Sequence, residues 1–322
     1  MHNLPEIQER IAHLAQKYQA SGQELVDFLD GLLHADYLTY WNYAQLDTLL
    51  SLQNPRTSFK DELIFIVYHQ ITELYFKLSL HEMEQIVESP SVDIGWYESR
   101  MERINMYFSA LTQSFGIMEK GMEREQFLKF RMSLIPASGF QSAQYRKIEI
   151  LATDFINLVD KDVREDLRQG SSTVGEMFEH IYWKKGAMVE STQEKTLTLK
   201  QFELKYSHEL TEIAKNSVER NLWKKFEWLK SIGANLEKLT AAYRQLDLNV
   251  NVNWPLQHYK TAAAYLVKQP SDIRATGGTN WQKYLPPRFQ KRIFYPELWT
   301  VREMEEWGKP WVENVINEIR EK

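Results

Sequence analysis

The stretch DELIFIVYHQITELYFKLSLHE, residues 61–82, decides the fold class. Its residues Phe65, His69 and Phe76 recur at spacings of four and seven, which places them on one face of a helix. The shorter run LIFIVY taken alone would suit a strand. It lies, however, inside a segment, residues 56–89, that holds neither Pro nor Gly. The sequence therefore predicts a long helix here.

The rest of the chain carries the same signal. Residues 137–254 contain no Pro, and we find no alternating strand pattern and no internal repeat. We expect further helices near residues 5–19, 22–33, 40–53, 96–115, 123–134, 139–158, 173–192, 197–245, 255–268 and 301–320. The Pro-containing irregular part comes late, at residues 276–299. The predicted fold class is all-α, a single large helical domain with long helices.

The composition excludes several classes of function. The chain of 322 residues holds 10 Trp, 16 Tyr and 15 Phe, enough ring surface for a large core or for a pocket that takes a flat ligand. A net charge of −5 argues against nucleic acid as a partner. Without cysteine there is no disulfide, zinc–thiolate site, iron–sulfur cluster or cysteine ligand to haem. No apolar run suits a membrane span, and the first residues are too polar for a signal peptide, so we expect a cytoplasmic protein.

A small-residue turn stands between two predicted helices, in RMSLIPASGFQSAQYRK, residues 131–147. Ser138 and Gln141 have the spacing of a capping box, which predicts that a helix starts there. Ser21 with Glu24 and Thr173 with Glu176 have the same spacing. A helix start can also hold an anion, and Arg131 lies seven residues upstream of Ser138.

Two of the eight histidines are candidates for function. His69 lies on an apolar helix face that should be buried, where a histidine more often serves the core. His258, in WPLQHYKTAAAYL, is followed one turn later by small residues that leave room for a flat macrocycle, although a plain amphipathic helix explains the pattern equally well. His81 with Glu84 could form a metal pair. A carboxylate-bridged di-iron site is excluded because no His has a Glu three residues before it.

Taken in order, five further stretches add to the evidence of residues 61–82: LTYWNYAQLDTLLSLQNP (38–55), FRMSLIPASGFQSAQYRKIE (130–149), the His258 helix, ATGGT (275–279) and FYPELW (294–299). Together they resemble the successive motifs of the tryptophan 2,3-dioxygenase family. The resemblance implies an all-helical enzyme that binds haem b, works in the Fe2+ state and forms a homotetramer. It implies insertion of both atoms of O2 into the indole C2=C3 bond of L-tryptophan, giving N-formyl-L-kynurenine. It also divides the chain into an N-terminal helical extension, residues 1–36, and a catalytic domain, residues 37–322.

The resemblance carries roles over position by position. His258 would be the axial ligand of the haem iron, and His69 would lie near the indole N–H. The substrate contacts would come from further side chains: Phe65 as a wall of the indole pocket, Arg131 at the carboxylate, Ser138 beside haem and substrate, Thr276 at the ammonium group, and Tyr40 and Tyr43 from the neighbouring subunit.

Several positions depart from the family pattern around the substrate. Phe127 stands where the family usually has a Tyr that also binds the carboxylate, and ATGG replaces the usual GTGG. These departures leave a second possibility within the fold, an enzyme that adds one oxygen to a tryptophan derivative. A third possibility is a haem-binding sensor or helical scaffold without catalysis. The presence of Arg131 argues against it, because a scaffold needs no cation to bind a substrate carboxylate.

Overall fold

The structure, a computed structural model, describes residues 3–34, 39–134, 138–170, 172–189, 192, 194–266 and 290–308. The chain divides into two compact units, Met1–Asn54 and Pro55–Lys322. The first unit contains α1 (Leu4–Ala20), α2 (Leu25–Leu33) and the single turns α3 (Tyr40–Tyr43) and α4 (Leu46–Leu49). The boundary predicted after residue 36 falls inside this unit and stays a prediction.

The second unit is also helical. Its helices are α5 (Glu62–Glu88), α6 (Ile94–Lys120), α7 (Arg124–Phe130), α8 (Ala143–Ala152), α9 (Arg164–Gln169), α10 (Val174–Glu179), α11 (Tyr182–Gly186), α12 (Leu197–Asn216), α13 (Leu222–Ser231), α14 (Glu237–Leu248), α15 (Trp254–Leu266) and α16 (Val301–Glu305). Four 3-10 turns cover Arg131–Leu134, Gly139–Gln141, Phe155–Leu158 and Pro296–Leu298, and a π-turn covers Asn249–Asn253. The described ranges contain two isolated β-bridges and no strand, so the all-α prediction is confirmed.

The core forms where α5 and α6 pack along each other, with α8 against α5 and with α14 and α15 against α6. Each helix buries one face: Met83 and Ile86 of α5 and Met101, Ile104 and Phe108 of α6 are fully buried. Burial of a side chain of this size contributes about 1.5–3 kcal/mol, so the α5–α6 pair is the scaffold on which the other helices are arranged.

The predicted helix 197–245 is wrong as a single element, because the structure has three helices, α12, α13 and α14, in that range. The Asn221 side chain accepts from the backbone N–H of Lys224 at 2.8 Å, which starts α13. Gly233 has a φ of +78°, a conformation that ends a helix at low cost only for glycine. The predicted helix 173–192 is likewise divided, into α10 and α11.

The three predicted capping boxes have different outcomes. Thr173 and Glu176 form theirs at the start of α10. Gln141 does accept from the N–H of Ser138, at 3.0 Å, but only the 3-10 turn follows, and α8 is capped by Ser142. The box at Ser21 is wrong, because the Ser21 hydroxyl donates back to the Tyr18 carbonyl and α2 begins after Glu24. Within the described ranges no helix has the length and apolar character needed to cross a membrane.

Candidate active site

Three elements of the second unit converge around two histidines. Helix α5 carries His69, and α15 carries His258. The 3-10 turn after Ser138 brings Gly139 so close to His258 that a β-carbon built on Gly139 would be 3.4 Å from His258 Cε1. Two rings connect the histidines: Phe115 lies 5.8 Å from His258 and 5.8 Å from Tyr68, and Tyr68 lies 5.7 Å from His69, centroid to centroid. The structure thus brings the two histidines singled out in the sequence to one place.

His69 is held as one tautomer of a neutral ring. Its Nδ1 lies 2.7 Å from the carbonyl oxygen of Phe65, one turn earlier on α5. Because a carbonyl only accepts, Nδ1 carries the hydrogen, and Nε2 of the neutral ring keeps a lone pair. Burial lowers the pKa of His69, although the Phe65 carbonyl and Glu73 act in the opposite direction.

The surroundings of His69 differ from the sequence prediction of a buried face. The ring is enclosed deeply enough for burial to dominate its pKa, yet its surface is exposed. His69 is therefore not part of the packed core.

His258 is also a neutral imidazole at pH 7. Burial, with His69 as a second cause, lowers its pKa to about 4. Phe115 stacks on the ring with centroids 5.8 Å apart, and Phe115 in turn packs on Trp254 at 4.6 Å. A neutral imidazole is the form that ligates haem iron. The donor chemistry of His258 therefore fits a haem iron.

An aromatic wall stands beside His69. The ring of Phe65 is 4.1 Å from the imidazole of His69 and 6.1 Å from the ring of Phe127, centroid to centroid. Phe127 packs at 4.8 Å on Tyr265, whose hydroxyl donates to the Met118 carbonyl at 2.5 Å. This wall is apolar and aromatic, which suits contact with an indole ring. Tyr265 was not singled out in the sequence, although it lies seven residues after His258 and so on nearly the same helix face.

Arg131 opens the 3-10 turn that follows α7, directly after the fully buried Phe130. Its side chain is half-buried, and burial lowers the pKa of its guanidinium below the ordinary value. An arginine stays charged at neutral pH even so. A partly desolvated guanidinium beside an apolar wall can bind a carboxylate through two parallel hydrogen bonds.

The remaining predicted site residues have different standing. Ser138 is half-buried next to Gly139, and Gln141 ties this turn to α12 through a hydrogen bond of 3.1 Å to the Thr198 carbonyl. Thr276 lies outside the described residues. Tyr40 and Tyr43 belong to the first unit and are 74% and 78% exposed. His81 is exposed, and the described residues contain no group of three or more His, Asp or Glu that could hold a metal ion.

Comparison with known proteins decides the family. A family model of tryptophan 2,3-dioxygenase matches residues 31–269. The chain belongs to the tryptophan 2,3-dioxygenase family. The tryptophan 2,3-dioxygenase of Bacillus anthracis is 28% identical over 291 residues, which cover 84% of this chain and 95% of that protein. The enzyme of Geobacillus thermodenitrificans is 28% identical over 292 residues, 84% and 94% of the two chains.

The similarity to other family members varies along the chain. The tryptophan 2,3-dioxygenase of Anaeromyxobacter sp. (strain K) is 39% identical over 123 residues, 38% of this chain and 46% of that protein. Identity is thus higher over a short region than over the long matches. The family match includes all of α5–α15, and therefore both histidines, Arg131 and the aromatic wall.

Proposed function

We propose that this family member is a haem b-dependent oxidoreductase. It inserts both atoms of O2 into the indole C2=C3 bond of L-tryptophan and forms N-formyl-L-kynurenine. The observation that carries the proposal is the pair of neutral imidazoles, His69 and His258, together with the aromatic wall beside His69. The carbonyl of the wall residue Phe127 accepts a hydrogen bond from the backbone N–H of the half-buried Arg131. Family membership supports the same reaction.

Haem b would be held by His258, whose neutral imidazole would ligate the iron, with Gly139 and Ser138 close to it. When bound, the haem supplies a ferrous iron that activates O2. The protein's own contribution is to bind and orient the substrate and to exclude water from it.

The substrate would lie along the wall of Phe65 and Phe127, with its carboxylate on Arg131. His69 would then accept a hydrogen bond from the indole N–H at Nε2, because Nδ1 is already committed to the Phe65 carbonyl. These contacts at the two ends of the amino acid would hold the indole plane in one orientation. Holding the substrate in its reactive orientation lowers the entropic cost of the reaction. Thr276 would contact the substrate ammonium group.

The alternative reaction, addition of one oxygen to a tryptophan derivative, rests on the departure at Phe127. We favour dioxygenation because the relatives that match over most of the chain are tryptophan 2,3-dioxygenases. We further propose a cytoplasmic homotetramer with a catalytic domain of residues 37–322 and an extension of residues 1–36. Tyr40 and Tyr43, exposed in the single chain, would complete the site of a neighbouring subunit. A fully active monomer at working dilution would contradict this assembly.

The test of the proposal is His258→Ala. The variant should lose tight haem binding, and added imidazole should restore part of it by filling the space of the lost side chain. His81→Ala, an exposed histidine of α5, is the matched control and should bind haem as the parent does. A His258→Ala protein that keeps a histidine-ligated haem spectrum would show that the ligand is assigned to the wrong residue.

A further inference from the structure

The helix that carries His258 is reached through a π-turn. Helices α14 and α15 follow each other without a loop, and residues 249–253 between them form the wider turn. One extra residue in a helix rotates everything beyond it by about 100° and shifts it by about 1.5 Å. The π-turn therefore determines which direction the His258 imidazole faces.

A buried carboxylate is hydrogen-bonded to this turn. Asp247 is fully buried, and its side chain accepts a hydrogen bond of 2.6 Å from the Asn251 amide, inside the π-turn. The same carboxylate accepts from the backbone N–H groups of Phe294 and Tyr295 at 3.0 and 3.2 Å, and from the indole N–H of Trp299 at 2.9 Å. Asp247 thus joins the π-turn to the returning segment of residues 292–299.

A buried arginine is hydrogen-bonded to the same turn. Arg292 donates to the Asn251 side-chain oxygen and, at 3.2 Å, to the Val250 carbonyl, both within the π-turn. It also donates to Glu149, a residue of α8. The Asn251 side chain therefore donates to the carboxylate of Asp247 and accepts from the guanidinium of Arg292. Both of these residues are at most 4% exposed.

The network continues to the turn that lies against His258. Glu149 forms a second ion pair with Arg146, at 2.6 Å. The Arg146 Nε in turn donates to the carbonyl of Phe140 at 3.2 Å. Phe140 follows Gly139, the residue that lies against the His258 ring. One chain of buried hydrogen bonds thus connects the turn beside the imidazole with the π-turn that orients it.

We infer that Asp247 and Arg292, acting through Asn251, are positioning residues that set the rotation at which His258 enters the pocket. The inference rests on the proposed role of His258 as the haem ligand. Removing one partner of a buried, fully bonded network leaves the others without a hydrogen-bond partner. The contacts that stabilise the π-turn should therefore be lost together. A role in stability alone would not couple these residues to the ligand.

The experiment uses Asp247→Asn in the full-length protein. The substitution keeps the size of the side chain, but it replaces one of two accepting oxygens with an amide nitrogen that donates. Each oxygen accepts from two donors, Oδ1 from Asn251 and Phe294 and Oδ2 from Tyr295 and Trp299, so two donors lose their acceptor in either orientation of the amide. We expect haem to dissociate to an excess of apomyoglobin about 10-fold faster, as for other residues that orient a metal ligand. The iron–histidine stretching band of the ferrous protein should shift. In the apoprotein, backbone amides of residues 249–258 should exchange hydrogen faster.

Leu229→Ala is the matched control. Leu229 is fully buried in α13 and takes part in none of the hydrogen bonds of the network, so this variant lowers Tm without the proposed mechanism. Its haem dissociation and iron–histidine band should equal those of the parent. An Asp247→Asn protein that differs from the parent no more than Leu229→Ala does, at equal loss of Tm, would overturn the inference.

A second variant covers the case in which Asp247→Asn does not fold. Asn251→Ala removes the shared partner and leaves both buried charges with their other partners, and it should shift the band and the exchange in the same direction. Failure of the proposed ligation has a separate signature. If His258→Ala keeps its histidine-ligated spectrum, the proposed function fails, whereas amide exchange of residues 249–258 in the apoprotein still tests the hold of Asp247 on the π-turn.

Discussion

Gly139 lies against the imidazole edge of His258, so that a β-carbon built on it would be 3.4 Å from Cε1. Cε1 adjoins Nε2, so a larger side chain at position 139 could take space beside a nitrogen that can ligate iron. We therefore propose that position 139 must stay small for haem to bind. This relationship gives the first prediction.

Gly139→Val should lower haem affinity about 10-fold or more, because overpacking a filled site costs about 1–3 kcal/mol. Haem titration of the apoprotein measures the effect. Gly116→Ala is the control: Gly116 lies in α6 with no atom near its would-be β-carbon, and the change should leave haem affinity alone. Equal haem affinity in Gly139→Val and the parent would refute the spatial requirement.

Arg131→Leu should lower kcat/KM for L-tryptophan by a factor of about 100, through loss of one charge-assisted pair with the carboxylate. Haem content should not change, since Arg131 is proposed to contact the substrate and not the haem. Lys129→Leu, an exposed cation at the end of α7, should leave the kinetics as they are. Unaltered kinetics of Arg131→Leu on every indole tried would rule out the carboxylate contact.

Phe127→Tyr tests which amino acid the pocket accepts. The Phe127 ring lies between Phe65 and Tyr265, so a hydroxyl on it would extend from the wall that the substrate is proposed to contact. If the substrate is L-tryptophan, the added donor should tighten binding by about 1 kcal/mol, seen as a lower KM. Weaker or unchanged binding would instead indicate a modified substrate that fills the place of the hydroxyl.

The apoprotein should lose stability in acid because His258 is held neutral. Its pKa falls from 6.5 to about 4 on folding, so the unfolded chain binds more protons between these values. The contribution is complete above pH 6.5 and is lost as the pH falls through about 4, by up to about 3 kcal/mol. His69, whose pKa is also lowered, acts in the same direction. Urea unfolding of the apoprotein across this range should show the slope, and His258→Gln should flatten it; identical profiles would contradict the assignment.

The sequence was sufficient for the helices whose signal is local. Residues 61–82 predicted α5 because its periodicity and its lack of Pro and Gly are written into the segment itself. The breaks at Asn221 and Gly233 were missed, since each depends on a single capping residue inside an otherwise helical pattern. Local periodicity says where a helix can form but not where a cap interrupts it.

The candidate site, too, could be predicted from the sequence only in part. His69 and His258 could be singled out from their surroundings in the sequence, and the structure brings them together. The π-turn could not be predicted, because its stabilising contacts come from residues far away in sequence, such as Arg292 to Asn251 and Phe294 to Asp247. Tertiary contacts of this kind leave no periodic signal in the segment that they shape.

The most direct test of the central claim is the product formed by the reduced, haem-loaded protein from L-tryptophan and isotopically labelled O2. Mass spectrometry of the product, taken early enough to limit exchange of the label with water, measures how many oxygen atoms come from O2. The account predicts N-formyl-L-kynurenine carrying both labelled atoms. A product with one labelled atom incorporated, or no turnover of L-tryptophan by a protein with full haem content, would contradict it.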